Sequence, residues 1–234
     1  MPEGDTIQLI RVGHKGADAI VAGNTLASFD AALAAGVDMI EFDVLAEHPD
    51  GSGELYVVHD YRALRRGGAP TLAAALAHLT TAPFDGVRLQ LDLKRGGYVE
   101  RVLDSLTAAG ALDRCLISTG EWRSLERLRV LAPRVPIGWT VGMPLAGVPL
   151  TRPVIAHLLR SGLARTVARR LRDDAFDALV AQWPLISRLL VRAVTAAGGE
   201  IYAWTVDDPR HIRRLGELGV TGVITNDPRL FDLS

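Results

Sequence analysis

Lysine is nearly missing from this chain of 234 residues: its 26 basic residues include only Lys15 and Lys94 as lysines, the rest being arginine. Cysteine is scarcer still. Cys115 stands alone, which excludes an internal disulfide framework and any multi-cysteine zinc site. No apolar run approaches the ~18 residues of a membrane span. The opening MPEGDTIQLI carries acids where a secretion signal needs basic residues, and no apolar stretch follows it. Glycine-rich dinucleotide and phosphate loops, a serine elbow and closely spaced histidine pairs are all absent. A formal net charge of -1 gives no global argument for nucleic acid. The expectation is a soluble, cytoplasmic protein with no nucleic-acid partner.

With 48% hydrophobic and 23% charged residues, a large buried core is available. The length suits a single (β/α)8 TIM barrel, which typically needs roughly 250 residues. Short β-rich runs at 8–13, 38–44, 87–93, 115–118, 136–141, 178–181, 200–206 and 222–225 alternate with helical patterns. Such alternation is the signature of βαβ units and a parallel sheet. Leu26, Phe29 and Leu33, and again Leu125, Leu128 and Leu131, recur at helical spacing. Glycines 36, 110, 199 and 219 fall just past helical runs, where a glycine ends a helix. No linker divides the chain, so one domain over 1–234 is expected. One excursion interrupts the alternation: Asp50-Gly51 is a turn signal, and 55–58 is a short strand able to form a hairpin with the end of the second barrel strand. Excursions at a strand's carboxyl end lie on the catalytic face of such barrels, so His59 is delivered there.

Glu41-Phe42-Asp43 lies near the end of the second strand. Side chains two apart point to one side, so both carboxylates can converge on one hard cation. Asp92-Leu93-Lys94 repeats the geometry on the third strand, adding a carboxylate and an ammonium. A surface or strand-end ion pair is the plain structural alternative. His14 and His59 sharpen the case, because both end on the same rim as these acids. His48, in a turn beside Pro49, and His78, His157 and His211, in helical patterns, read as structural or exposed. A sequence that otherwise uses arginine keeps lysine only beside His14 and two residues after Asp92, where a compact ammonium suits close approach to a phosphate oxygen. Trp204 ends the seventh strand and is either a substrate wall or a core residue.

The run from Val12 to Asp60 resembles the N-terminal signature of the glycerophosphodiester phosphodiesterases. The matching elements are His14-x-Gly16, Asn24-Thr25, Phe29, Ala32, Gly36-x-Asp38, Glu41-x-Asp43, Asp50-Gly51 and His59-Asp60; LDLK, AWTVDD and GVTGVITNDP are similar to later strands of that family. The resemblance implies one divalent ion, Mg2+ or Ca2+ with Mn2+ as a further option, held by Glu41, Asp43 and Asp92. It also implies His14 and His59 as general acid and base, with Lys15 and Lys94 on phosphate oxygens. The implied reaction is hydrolysis of a small glycerophosphodiester, or a lysophospholipid, to glycerol 3-phosphate, or lysophosphatidic acid, and an alcohol. Attack by the substrate's own 2-hydroxyl and direct attack by water both stay open. Lys15 stands where the family usually has arginine, Ala22-Gly23 where it has Pro-Glu, and Asp92 where it commonly has glutamate; the segment 61–69 is short. Asp-x-Lys is instead similar to sphingomyelinase D, which makes a phospholipase releasing a cyclic phosphate one rival reading. A catalytically silent barrel that binds a phosphorylated ligand is the other.

Charge is unevenly placed. Between Glu126 and Asp173 there is no acid but there are nine arginines, so this stretch carries +9 and the rest -10, which together give the net -1. Its second half resembles a basic amphipathic helix, Val154, Ile155, Leu158, Leu159, Val167 and Leu171 alternating with arginines. Residues 152–172 are therefore expected either to pack on the barrel or to touch an anionic membrane.

Overall fold

The computed structural model describes residues 9–142 and 153–234, with side chains of the second segment from 162 onward. Position 8 of the expected first strand, Arg152, and the side chains of Val154, Ile155, His157, Leu158 and Leu159 lie outside the described residues. Strands β1 (Ile10–Gly13), β2 (Met39–Ala46), β4 (Arg88–Leu93), β5 (Cys115–Thr119), β6 (Ile137–Val141), β7 (Ala178–Gln182), β8 (Glu200–Trp204) and β9 (Gly222–Thr225) pair in parallel. The β1–β2 pairing closes them into a (β/α)8 TIM barrel. Around it stand α1 (Leu26–Ala34), α2 (Tyr61–Arg66), α3 (Leu72–Leu79), α4 (Val99–Ala108), α5 (Trp122–Leu131), α6 (Pro153–Arg172), α7 (Arg188–Ala196) and α8 (Pro209–Leu218). No described helix is long and apolar enough to cross a membrane.

The period of two along each strand divides the core. Ile40, Phe42, Val44, Leu89, Leu91 and Ile117 face outward and pack under the helices. Val12, Met39, Leu116, Ala178, Val180, Tyr202 and Ile224 fill the barrel interior. All eight residues of β2 are buried, as expected of a parallel strand covered on both faces. Helix starts are fixed by side-chain caps: Thr25 with Ser28 in a reciprocal box, Thr71, Ser187 and Asp208.

Several sequence-based boundaries shift for physical reasons. β2 runs to Ala46 because β3 (Leu55–Val57) pairs antiparallel with its last three residues, Val44 to Ala46. β8 stops at Trp204, two residues short of the expected end, although the amide of Val206 still donates to the carbonyl of Ile224. Leu131, at the end of α5, is 40% exposed rather than core. Gly198, not Gly199, takes the left-handed conformation after α7; Gly199 instead packs where a Cβ would meet Leu171 at 2.7 Å. In the described half of α6, Val167 and Leu171 are buried against the core, and Arg170 lies over the Trp122 ring at 4.3 Å.

The β2–β3 hairpin is clamped from the side of α4. Tyr98 donates its hydroxyl to the carbonyl of Val44 at 2.8 Å, and Arg101 donates to the carbonyls of Gly51 and Gly53. Gly51, at φ +87, is obligatory: a Cβ there would fall 2.5 Å from the carbonyl oxygen of Gly97. Further along the barrel wall, burial pushes the Cys115 thiol up to about 12. Native protein at pH 8 should therefore resist a disulfide-exchange reagent, and one thiol should react on unfolding. Rapid stoichiometric labelling of the folded protein would contradict this burial.

Candidate active site

Toward the carboxyl ends of the strands the barrel interior changes from apolar to charged. Met39, Glu41 and Asp43 follow one another on the inner side of β2, and Gln90 and Asp92 on the inner side of β4. The register places Glu41 opposite Gln90 and Asp43 opposite Asp92. One carboxylate oxygen from each of Glu41, Asp43 and Asp92 lies within 4.8 Å of the others, and all three residues are buried. Lys94, one turn of the pleat beyond Asp92, sets its ammonium 2.5 Å from Asp43 Oδ1 and 2.6 Å from Asp92 Oδ2.

Each acid is held from outside the cluster. Asp92 Oδ1 accepts from Ser118 Oγ at 2.9 Å and Thr140 Oγ1 at 2.8 Å, residues brought inward by β5 and β6. Asn24 Nδ2 donates to Asp43 Oδ2 at 2.7 Å, and its Oδ1 accepts from the Asp43 amide at 3.1 Å. The amide of Lys15 donates to Glu41 Oε2 at 2.9 Å, made possible by a left-handed backbone at Lys15, φ +51. A cavity of about 150 Å³ opens over the cluster. His14, Lys15, Glu41, His59, Asp92, Lys94 and Trp204 line it, while Asp43 lies fully buried beneath. Trp204, in that lining, donates its indole N–H to the carbonyl of Val180 at 3.1 Å.

The profile of the Glycerophosphoryl diester phosphodiesterase family matches residues 14–92 and 86–230. The chain belongs to this family. It is 28% identical, over 93% of its length and 87% of the relative's, to a Mycobacterium tuberculosis protein named "Probable glycerophosphodiester phosphodiesterase 2". It is 26% identical to a glycerophosphodiester phosphodiesterase of Arabidopsis thaliana, over 93% of this chain and 70% of that one. A solved Oleispira antarctica phosphodiesterase, in complex with the product sn-glycerol-3-phosphate, has the same fold: TM-score 0.75 at 20% identity, covering 96% of each chain. The family is one of phosphoric diester hydrolases, and the chain is an enzyme of that class.

Electrostatics within this family barrel set the protonation states. Burial, with the Asp43 carboxylate beside it, pushes Glu41 up to about 8. Burial alone would raise Asp43 too, but the Lys94 ammonium and the Asn24 amide outweigh it and hold Asp43 below the usual carboxylate range. Lys94 stays charged: burial disfavours the ammonium, yet Asp92, Asp43 and Glu41 raise it well above an ordinary lysine. The Lys94 contact to Asp43 Oδ1 lacks hydrogen-bond geometry, so that oxygen is buried with an ion-pair partner but no hydrogen bond. Three buried acids, one of them raised toward neutrality and one with an oxygen that accepts no hydrogen bond, offer the oxygen-rich donor set of a hard divalent cation. The cluster can hold such an ion.

The histidines differ in setting. His14 is mostly buried; its Nδ1 lies 2.5 Å from Asn226 Oδ1, and its Nε2 3.8 Å from Glu41 Oε2. Asn226 Nδ2 donates to Asp207 Oδ2 at 2.7 Å, and the Asn226 amide donates to Asp207 Oδ1 at 2.9 Å. A carboxylate only accepts, so Asp207 fixes the amide orientation, Asn226 Oδ1 must face His14, and His14 Nδ1 must carry the proton. Burial lowers the His14 pKa from 6.5, against the Asn226 bond, which raises it. His59, half exposed, sits 3.4 Å from Asp60 Oδ2. The other described histidines have structural partners or lie in a turn: His78 pairs with Asp30 at 2.7 Å, and His211 stacks on Trp183 at 4.3 Å. Asn24, Ser118, Thr140, Asp207 and Asn226 escaped the sequence reading as functional residues, apart from the motif letters of Asn24, Asp207 and Asn226. Strand register brings Ser118 and Thr140 to Asp92, while the β1–α1 turn brings Asn24 to Asp43 and the segments just past β8 and β9 bring Asp207 and Asn226 to His14.

Nitrogen-15 spectra of histidine-labelled protein at pH 7.5 should show His14 neutral with the proton on Nδ1. Asn226→Ala should mix the tautomers and move the His14 pKa lower still, because a bond favouring the charged form is lost. A wild-type Nε2–H tautomer would contradict the relay.

Proposed function

We propose that the protein hydrolyses glycerophosphodiesters, or closely related lysophospholipids, with one divalent cation, Mg2+ or Ca2+, at Glu41, Asp43 and Asp92. The observation that carries this reading is a cluster of three buried carboxylates directly beneath a cavity that two histidines line. The cation supplies charge neutralisation of the non-bridging phosphate oxygens. His14, neutral and with a free Nε2 lone pair, takes the proton of the attacking hydroxyl. His59 gives a proton to the departing alkoxide, and Lys15 and Lys94 hold phosphate oxygens. Trp204 walls the glycerol arm. The chain acts as one domain over 1–234, and its lone free cysteine suits a cytoplasmic setting.

Replacing His14 or His59 by alanine should lower turnover by roughly 10²–10⁴ with the fold intact, and the double variant should lose far less than the product of the singles. The acid limb of kcat/KM should fall below pH 6.5, since the lowered His14 pKa leaves the base free at lower pH. Glu41→Gln, Asp43→Asn and Asp92→Asn should each weaken divalent-ion binding by calorimetry. Near-normal turnover in His59→Ala, or unchanged ion binding in Asp43→Asn, would refute these assignments. Phosphorus NMR distinguishes glycerol 3-phosphate from the cyclic phosphate of a sphingomyelinase-D-like route, and no product with any divalent ion would leave a silent phosphate binder.

For residues 152–172 the second reading, contact with an anionic membrane, rests on their arginines. Val167 and Leu171 are committed to the barrel, so in the described half charge alone would carry the contact. Each arginine near such a surface contributes about 1 kcal/mol, screened by salt. Co-sedimentation should favour anionic over neutral vesicles and vanish at high salt; equal binding to both vesicles removes the membrane role.

A further inference from the structure

The catalytic cavity is small for a whole diester. Its volume of about 150 Å³ falls below the roughly 300–1,000 Å³ of ordinary small-molecule sites. An open groove of about 480 Å³ begins where the cavity ends, and Lys15 and His59 line both. One wall is the turn between β1 and α1, and the other is the segment from Val57 to Ala69. The groove stays open because Ala22, Gly23, Gly67, Gly68 and Ala69 bring nothing larger than a methyl group to it. A Cβ on Gly67 or Gly68 would meet nothing within 4 Å. Gly23 is different: its amide donates to Asp18 Oδ1 at 2.7 Å, and a Cβ would strike the Asp18 and Lys15 side chains.

A phosphodiester carries two arms on one phosphorus. A phosphate seated between Lys15 and His59 puts one arm in the cavity and the other in the groove. We propose that the groove is the subsite for the departing alcohol, and that it selects bulky hydroxyl-bearing alcohols, a polyol or sugar, over small or apolar ones. This rests on the hydrolase reading above and names the substrate class of the same site. Charges of both signs face the groove, and most are already paired. Lys15 lies 3.9 Å from Asp18, and Asp60 caps α2 through Ala63 while facing His59. Arg66 makes no hydrogen bond or ion pair among the described residues, and Val57 and Val58 are buried. A neutral arm rich in hydroxyls can satisfy Arg66 and the exposed backbone, whereas an apolar arm would cover these groups without partners. His59 stands at the junction. As the attacking hydroxyl forms its new bond to phosphorus and gives its proton to His14, the P–O bond to the groove arm breaks, and its electron pair stays on the alcohol oxygen, which takes the His59 proton.

The test compares glycerophosphoinositol, glycerophosphoethanolamine and the glycerophosphodiester of octanol on the divalent-ion-loaded protein. The inositol ester should exceed both others at least tenfold in kcat/KM. Ala22→Trp, at an exposed position, and Ala69→Trp, from the opposite wall, should each cut kcat/KM for the inositol ester tenfold or more and for the ethanolamine ester less than threefold. Calorimetric Kd for glycerophosphoinositol should weaken tenfold in both variants. Parallel losses on both substrates, an unchanged Kd, or an octanol ester as good as the inositol ester would overturn the subsite. Absence of turnover on every diester would instead overturn the hydrolase reading, and the Kd comparison would still decide the groove.

Discussion

Three carboxylates buried on two adjacent strands repel one another, and a single ammonium holds them together. Lys94 bridges Asp43 and Asp92 across the β2–β4 register, while Glu41, out of its direct reach, is raised toward neutrality by burial and by Asp43. Partial neutralisation of this kind leaves the mouth of the barrel short of positive charge, the condition under which a hard cation binds. Around the cluster, neutral donors take up the remaining oxygens: Asn24 on Asp43, Ser118 and Thr140 on Asp92, and the Lys15 amide on Glu41. The apolar layer below, with Met39, Leu116 and Tyr202, compensates for an interior that near its rim cannot pack as hydrocarbon.

The two histidines are controlled differently. His14 is fixed through Asn226 to Asp207, so that one nitrogen is committed and the other is available. His59 is held chiefly by its place in the chain, just past the hairpin and at the start of α2. One imidazole, itself mostly buried, is preset by the relay through Asn226 to Asp207, and the other borders open solvent, a division that fits unequal demands on base and acid.

The barrel was legible in the chain because short β-rich runs alternate with helical spacing along its length, with glycines just past four of the helical runs. Spacing of two made Glu41 with Asp43, and Asp92 with Lys94, readable as shared faces. The scarcity of lysine proved informative, since both lysines border the cavity. What spacing cannot carry is the register between strands, which decides that Ser118 and Thr140 reach Asp92 and that Asn226 reaches His14 across 212 positions of sequence. Hydrophobic periodicity likewise marked 152–172 as amphipathic without indicating what the apolar face meets. In the described half it meets the barrel.

The clamp on the β2–β3 hairpin has an evolutionary consequence. Tyr98 and Arg101 grip the hairpin from the α4 side, so the strand leading to His59 is braced against the body of the barrel. Beyond the isolated Tyr56–Thr71 bridge and the Arg95 guanidinium over the Tyr61 ring at 5.5 Å, the segment after His59 has few such ties. Length and composition there can drift, by insertion or by exchange of small residues for large, without moving the imidazole. Rigidity on one side of His59 thus gives licence to the other, and divergence among relatives of this barrel should concentrate on that free edge.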